Sequence, residues 1–239
     1  MSEGGRTIEG GSLVDRAVHF VRDHIRDYDL KVGDTLPGEG AFAEQLGVSR
    51  AVMREAFSTL TALRQIDVSN GRKARVAAFD GSVLSTSLDH AVATAQVTVE
   101  EIWDVRRTLE LRTAELAAVR RSDAEARAIV AHAEAMATHG DDPDELTRHD
   151  IAFHQAIAKA SGNALFYNLI RSFESLMTVA VPTAWHSRIT ADQRATVLEQ
   201  HHRLAEAIAN RDPAAAVAEM NTHFDTSIAD LFARYSAAI

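Results

Sequence analysis

The stretch Leu46-Gly47-Val48-Ser49-Arg50-Ala51-Val52-Met53-Arg54-Glu55-Ala56 constrains this chain more than any other. Gly47 marks a tight turn, because glycine takes left-handed backbone angles without a Cβ penalty. Val48 supplies an apolar plug between two helices, and Ser49 is a good N-cap for the second of them. Beyond the cap, Val52, Ala56, Leu60 and Leu63 recur at helical spacing and are expected to form the buried face. Arg50 and Arg54 are four apart and share the opposite face near the helix N-terminus. The pattern reads as a helix-turn-helix whose second helix, 49–63, meets base edges and phosphates. A surface helix carrying two solvated arginines is the plainer alternative.

The flanking sequence favours the first reading. Leu13, Ala17, Val18, Phe20, Val21 and Ile25 give one face of an opening helix, followed by a turn-rich link, Leu30 to Pro37. Residues 39–46 form the first helix of the motif, with Phe42, Ala43 and Leu46 inward. Two alternating segments, Ile66–Ser69 and Lys73–Ala77, surround Asn70-Gly71, a dipeptide suited to a tight hairpin turn. Directly after the helix pair, such a hairpin tipped by Arg72 and Lys73 is the wing of a winged helix; an ordinary surface hairpin is the competing reading. The net charge of −9 belongs to the rest of the chain, because residues 1–78 carry 11 basic and 11 acidic residues. Residues 45–78 hold six basic residues against two acidic ones, the footprint expected of a phosphate-facing surface.

After a linker at 79–82 the chain reads as helices alone, over about 82–95, 99–120, 122–139, 143–160, 163–181, 191–210 and 213–235. Asp142-Pro143 and Asp212-Pro213 each place a cap before a proline at the first helical position. The expected fold is mainly α: a disordered lead over 1–11, a winged helix-turn-helix with a small β-hairpin over 12–78, and an all-helical bundle over 83–239. The chain has no cysteine, no apolar signal core at its N-terminus and no apolar run long enough to span a bilayer. Those features point to the cytoplasm and away from membranes.

A second constellation lies in the helical half. Asp150 and His154 are four apart, so both reach one point from one helix face. His201 and His223 flank the Asn210–Pro213 turn; at 1.5 Å per residue they lie roughly 14 and 15 Å from it, level with one another in an antiparallel hairpin. Three imidazoles and a carboxylate suit Zn²⁺ and accept Ni²⁺, Mn²⁺ or Fe²⁺. Eleven histidines also make a coincidence of spacing a strong competing reading.

Taken together, the motifs Leu36-Pro37-Gly38-Glu39, Ala43 to Arg50, Arg54-Glu55-Ala56 and Gly71 resemble the GntR family of bacterial transcription regulators. The segment Ile102-Trp103-Asp104-Val105-Arg106-Arg107-Thr108-Leu109-Glu110 resembles the opening helix of the FCD domain of its FadR-type branch. The resemblance implies a ligand-responsive regulator, commonly a repressor, that binds a palindromic double-stranded DNA operator as a homodimer and is not an enzyme. It implies DNA contacts from Ser49, Arg50, Ala51, Val52 and Arg54 and, in the wing, from Asn70, Gly71, Arg72 and Lys73. Gly40 departs from the pattern, since the family carries an arginine there, and Arg72-Lys73 stand where a second glycine is common. The resemblance also strengthens the metal reading for Asp150, His154, His201 and His223, and implies a small carboxylate effector at that metal. Arg106, His202, Asn163 and Trp185 are the candidate effector contacts. Three have a structural alternative, an ion pair for Arg106, a helix cap for Asn163 and an exposed position for Trp185, while His202 is the rival of His201 one position on. Two other functions remain open: a metal-dependent hydrolase with an N-terminal interaction domain, and a metal-free acyl-CoA sensor.

Overall fold

The computed structural model describes residues 11–69, 72–188 and 190–235, with side chains through 227. The chain divides into two compact units, 1–83 and 84–239. No helix among the described residues is long and apolar enough to cross a membrane.

The first unit contains α1 (Leu13–Asp27), α2 (Glu39–Leu46), α3 (Arg50–Ala62), β1 (Ile66–Asp67) and β2 (Arg75–Val76). A capping box formed by Ser12 and Asp15 starts α1. Gly47 ends α2 with φ of 72°, the left-handed conformation that the turn into the next helix requires. Ser49 then accepts the Val52 N–H at 3.2 Å and caps α3. The core gathers Val21, Leu36, Phe42, Phe57, Leu60 and Ile66. Phe42 is its centre, edge-on to Phe20 at 5.9 Å and tilted against Phe57 at 6.0 Å.

Two expectations need correction. The buried face of α3 is Met53, Ala56, Phe57 and Leu60, whereas Val52 is half-buried and Leu63 is exposed. The face is turned so that Met53 and Phe57, the latter against Phe42, enter the core while Val52 packs at its edge. The wing strands are also shorter than expected, pairing only Ile66 with Val76 and Asp67 with Arg75. The Leu30–Pro37 link adds to them: Thr35 bridges Arg75, and Leu36 N–H donates to Ala74 O at 2.8 Å. No alternation announces that third segment, which is held by backbone bonds and by the buried Leu36 side chain.

The second unit is α4 (Ser82–Ala93), α5 (Val99–Arg120), α6 (Asp123–Thr138), α7 (Pro143–Ala160), α8 (Ala164–Arg171), α9 (Glu174–Ser187), α10 (Ala191–Ala209) and α11 (Pro213–Tyr235). Ser82, the last residue of the expected linker and the first of the expected 82–95 helix, begins α4. Side-chain caps from Thr98, Ser122, Asp142, Asn163 and Thr190 start five of these helices. The single helix expected over 163–181 is two helices. Ser172 Oγ donates back to Leu169 O at 2.6 Å, and the Ser172 and Phe173 amides bond to carbonyls three residues back, which ends α8. The break lets Ile170, Phe173 and Met177 all enter one core. Helix α9 then continues through Pro182, so Trp185 and His186 are helical instead of irregular. The α10–α11 turn is tied to the end of α5 by Arg211, which donates to Val119 O and Arg121 O at 3.0 and 3.1 Å.

Truncating Phe42 to alanine is expected to destabilise the first unit by about 3–5 kcal/mol. Hydrogen exchange of α1–α3 amides reads this directly; unchanged protection would show that Phe42 is not the centre of that core.

Candidate metal centre and DNA-reading surface

Four helices aim polar groups at one buried point. Helix α5 carries Trp103, Arg106, Glu110 and Thr113 on a single inward stripe. Helix α7 supplies Asp150 and His154 one turn apart, α10 supplies His201, and α11 supplies His223. The three imidazoles are almost fully buried, and their ligating nitrogens all lie within 4.8 Å of one another. The His154–His223 and His201–His223 ring centroids are 5.0 and 4.7 Å apart. Phe153 sets its edge against His201 at 5.2 Å, closing the apolar side.

Each ring but one is oriented by a second contact. His201 Nδ1–H donates to Val197 O at 2.8 Å, which turns Nε2 toward Asp150 Oδ1 at 3.1 Å. His154 Nδ1 lies against Glu110 Oε2. Glu110 in turn accepts from Arg106 Nε at 2.8 Å and Nη2 at 2.7 Å. His223 Nδ1 is buried with no hydrogen-bond partner. Burial pushes His223 well below the usual imidazole value, and the His201 and His154 rings add to the effect. Burial alone would raise Asp150, but the His201 hydrogen bond and the surrounding imidazoles hold its carboxyl well below the usual range. For His154, burial acts downward, yet the Glu110 carboxylate outweighs it and raises the imidazole.

This donor set fits a divalent transition metal. Two donors at 2.0–2.1 Å from one ion lie about 3 Å apart at a right angle, close to the Asp150–His201 separation. A buried neutral imidazole with an unpartnered nitrogen is costly to leave unsatisfied, and His223 is one. The Glu110–His154 contact has the form of a carboxylate orienting a ligating histidine. Asp150, His154, His201 and His223, together with Arg106 and Arg188, line a cavity of about 30 Å³.

The other candidate residues divide. Arg106 lines the cavity, but its guanidinium is already held by Glu110 and Met177 Sδ and lies over the Trp103 ring at 4.9 Å. His202 is half-buried and does not line the cavity. Asn163 caps α8, accepting the Leu165 N–H at 2.9 Å, and does not line it either. Trp185 is buried instead of exposed, between the Arg188 and Arg194 guanidinium groups at 5.8 and 5.4 Å. Glu110 and Arg188 escape a reading by spacing. Glu110 looks like half of an ordinary i,i+4 surface pair; its one distinguishing sign is that it falls on the stripe of Trp103 and Thr113.

On the first unit, Arg50, Ala51 and Arg54 are exposed on α3, and Ser49 is engaged as its cap. Arg54 Nε lies 3.5 Å from Glu39. A Cβ at Gly40 would stand 3.7 Å from the Arg50 guanidinium, an ordinary contact, so Gly40 lies directly beside that group. Arg72 and Lys73 are exposed in the wing, whereas Asn70 and Gly71 lie outside the described residues. Arg75 is a wing cation with a structural role, donating to Gly33 O at 2.6 Å.

Comparison with known proteins places this architecture. The pattern of bacterial regulatory proteins of the gntR family matches residues 13–76, and that of the FCD domain matches 101–226. The chain belongs to the GntR family, with an FCD domain. It is 32% identical over 215 residues to the HTH-type transcriptional regulator LutR of Bacillus subtilis, covering 88% of this chain and 97% of that one. It is 31% identical over 208 residues to the Glc operon transcriptional activator of Escherichia coli, covering 84% and 82%. A solved Streptococcus agalactiae GntR structure shares the fold, with a TM-score of 0.66 at 24% identity over 89% of this chain and 98% of that one. This GntR protein is therefore a DNA-binding transcription regulator.

Replacing Glu110 by alanine leaves Arg106 buried without its anion and is expected to cost about 3–5 kcal/mol. The exposed Glu100→Ala on the same helix is expected to stay within about 0.5 kcal/mol. Denaturant unfolding of the two variants checks this, and equal midpoints would show that Glu110 is not a structural partner.

Proposed function

We propose that this regulator binds a palindromic operator in the cytoplasm as a homodimeric repressor, and that a small carboxylate effector controls its DNA affinity from a metal held by Asp150, His154, His201 and His223. The observation that carries the reading is the convergence of three buried imidazoles and a carboxylate, with His223 Nδ1 buried and without a hydrogen-bond partner. A Zn²⁺ bound there supplies a Lewis-acid point that accepts a carboxylate oxygen. Asp150 is the only carboxylate among the described residues lining the cavity and already faces His201, which leaves no general base and favours sensing over hydrolysis. The same histidine cage is the feature that separates this reading from a metal-free acyl-CoA sensor.

The cavity's size says how an effector would act. About 30 Å³ holds roughly two water molecules. Even a two-carbon hydroxy acid therefore requires the α9 residues Ala180, Val181 and Ala184 to move outward. An effector that binds only the opened arrangement shifts the population toward it by its differential affinity. Arg106 keeps Glu110 and His154 in place throughout, and so acts as a positioning residue for the cage.

On DNA, α3 enters the major groove with Arg50 and Arg54 directed at bases or phosphates and the wing cations at the backbone. Two such helices in a dimer lie about 34 Å apart, one turn of the duplex. The Glc operon relative is named an activator, so a promoter-reporter assay is the proper readout of the regulatory sign. Arg50→Ala and Arg54→Ala are each expected to weaken operator binding by about 1–3 kcal/mol without loss of helicity. In the same gel-shift assay, small hydroxy acids are expected to shift affinity only for metal-loaded protein. Unchanged operator affinity in both arginine variants would contradict the reading helix, and an equal effector shift after chelation would contradict the metal-borne effector site.

A further inference from the structure

Three histidines gather outside the buried cage. His132 is on α6, His149 is on α7, and His139 is the C-cap of α6. His132 Nδ1 and His149 Nδ1 face each other at 3.1 Å, with ring centroids 5.4 Å apart. The His139 ring lies parallel to that of His149 at 6.2 Å. None of the three lines the cage cavity. His132 instead opens onto a separate groove of about 430 Å³ lined by Glu125, Gln155, Lys159 and Tyr167.

We propose that His132 and His149 form a second metal-ligating pair, which clamps α6 to α7 through one borderline-soft divalent cation (Cu²⁺, Ni²⁺ or Zn²⁺) completed by water. Two imidazole nitrogens bound at 2.0–2.1 Å to one ion are about 3.0–3.4 Å apart for angles between a right angle and a tetrahedral one. The observed separation falls in that span, so ring rotation without backbone movement directs both lone pairs to a common point. Both rings are half-buried. The groove beside His132 gives an ion a way in and leaves space for its water ligands.

The surrounding charges are arranged for the exchange. Without metal, Arg148 Nη2 donates to His149 Nε2 at 2.9 Å, so His149 carries its proton on Nδ1 and donates it to His132. A ligating His149 must hold that proton on Nε2 instead. Glu145 Oε2 lies 3.7 Å from Nε2, so a small side-chain rotation would bring it to accept that proton in the carboxylate–histidine–metal arrangement that fixes a ligand's tautomer. Arg148 already pairs with the same carboxylate, so its charge is compensated when it leaves the ring. The exchange moves one proton from Nδ1 to Nε2 of the ring through water. One of the two helices joined, α7, also carries Asp150 and His154, so the outer ion would stiffen that wall of the inner cage.

Chelator-stripped full-length protein, never exposed to a metal-affinity column, is dialysed against buffered Zn²⁺ and analysed for zinc per chain. His132→Asn and His149→Gln are each expected to bind one zinc fewer than the unsubstituted protein, or to weaken that zinc at least about 100-fold. The His201→Ala/His223→Ala double variant is expected to retain it, which separates this site from the cage. His149→Gln keeps an amide that can hydrogen-bond to His132, and matching melting curves establish that the variants are folded. Zinc bound in the same number and as tightly by both His132→Asn and His149→Gln as by the unsubstituted protein would overturn the proposal.

Discussion

Burying Arg106, Glu110, Asp150 and three imidazoles inside one helical bundle is the constraint on which the second unit depends. A lone buried ion costs several kcal/mol, so each charge must answer another at close range. Arg106 answers Glu110, Glu110 touches His154, and Asp150 faces His201. These contacts join α5 to α7 and α7 to α10. Sliding any of those helices by one turn, about 5.4 Å, would strand a charge in the interior. His223 is the exception that gives the arrangement its meaning: α11 carries it to the same point, yet the protein offers its Nδ1 no partner. A metal, as proposed, would answer that nitrogen and the cluster of like-polarity rings at once.

The first unit solves the opposite problem. Its core is apolar, built on Phe20, Phe42 and Phe57, and the α3 cations Arg50 and Arg54 stay on the surface. Arg54 is only loosely restrained by Glu39, and the Arg50 guanidinium lies beside a glycine. Exposed ion pairs of that kind contribute little to stability, so a DNA phosphate can replace them at small cost. In the proposed reading, stability and recognition are thus carried by different residues of the same short helix.

How much of this was legible depends on the kind of signal. Gly47, Ser49 and the apolar spacing announce the helix pair because turn, cap and periodicity agree locally. The His201–His223 hairpin was legible because helical rise turns sequence distance into height on either side of the Asp212-Pro213 turn. The end of α8 was not, since Ser172 and Phe173 are acceptable inside a helix and only the core decides that the chain bends there. Thr35 joins the wing through backbone bonds, which leave no mark on side-chain order. Glu110 is the instructive miss: an acid four residues after an arginine looks like a solvated pair until burial shows that it orients a histidine. Asn163 and Arg106 show the converse, residues that match a family pattern yet are occupied by a cap and an ion pair.

The central claim is that the buried imidazole cage exists to hold a metal, and melting curves of chelator-stripped protein test it most directly. Free Zn²⁺ is set by a metal buffer to fill the tighter site alone, at about 100 times its Kd, where binding to the native state adds about 2.7 kcal/mol. The account predicts that zinc raises the melting temperature of the unsubstituted protein. In His223→Ala the stripped form should melt close to stripped unsubstituted protein, and zinc should add nothing. A rise of the same size in His223→Ala, or no rise in the unsubstituted protein, would contradict it.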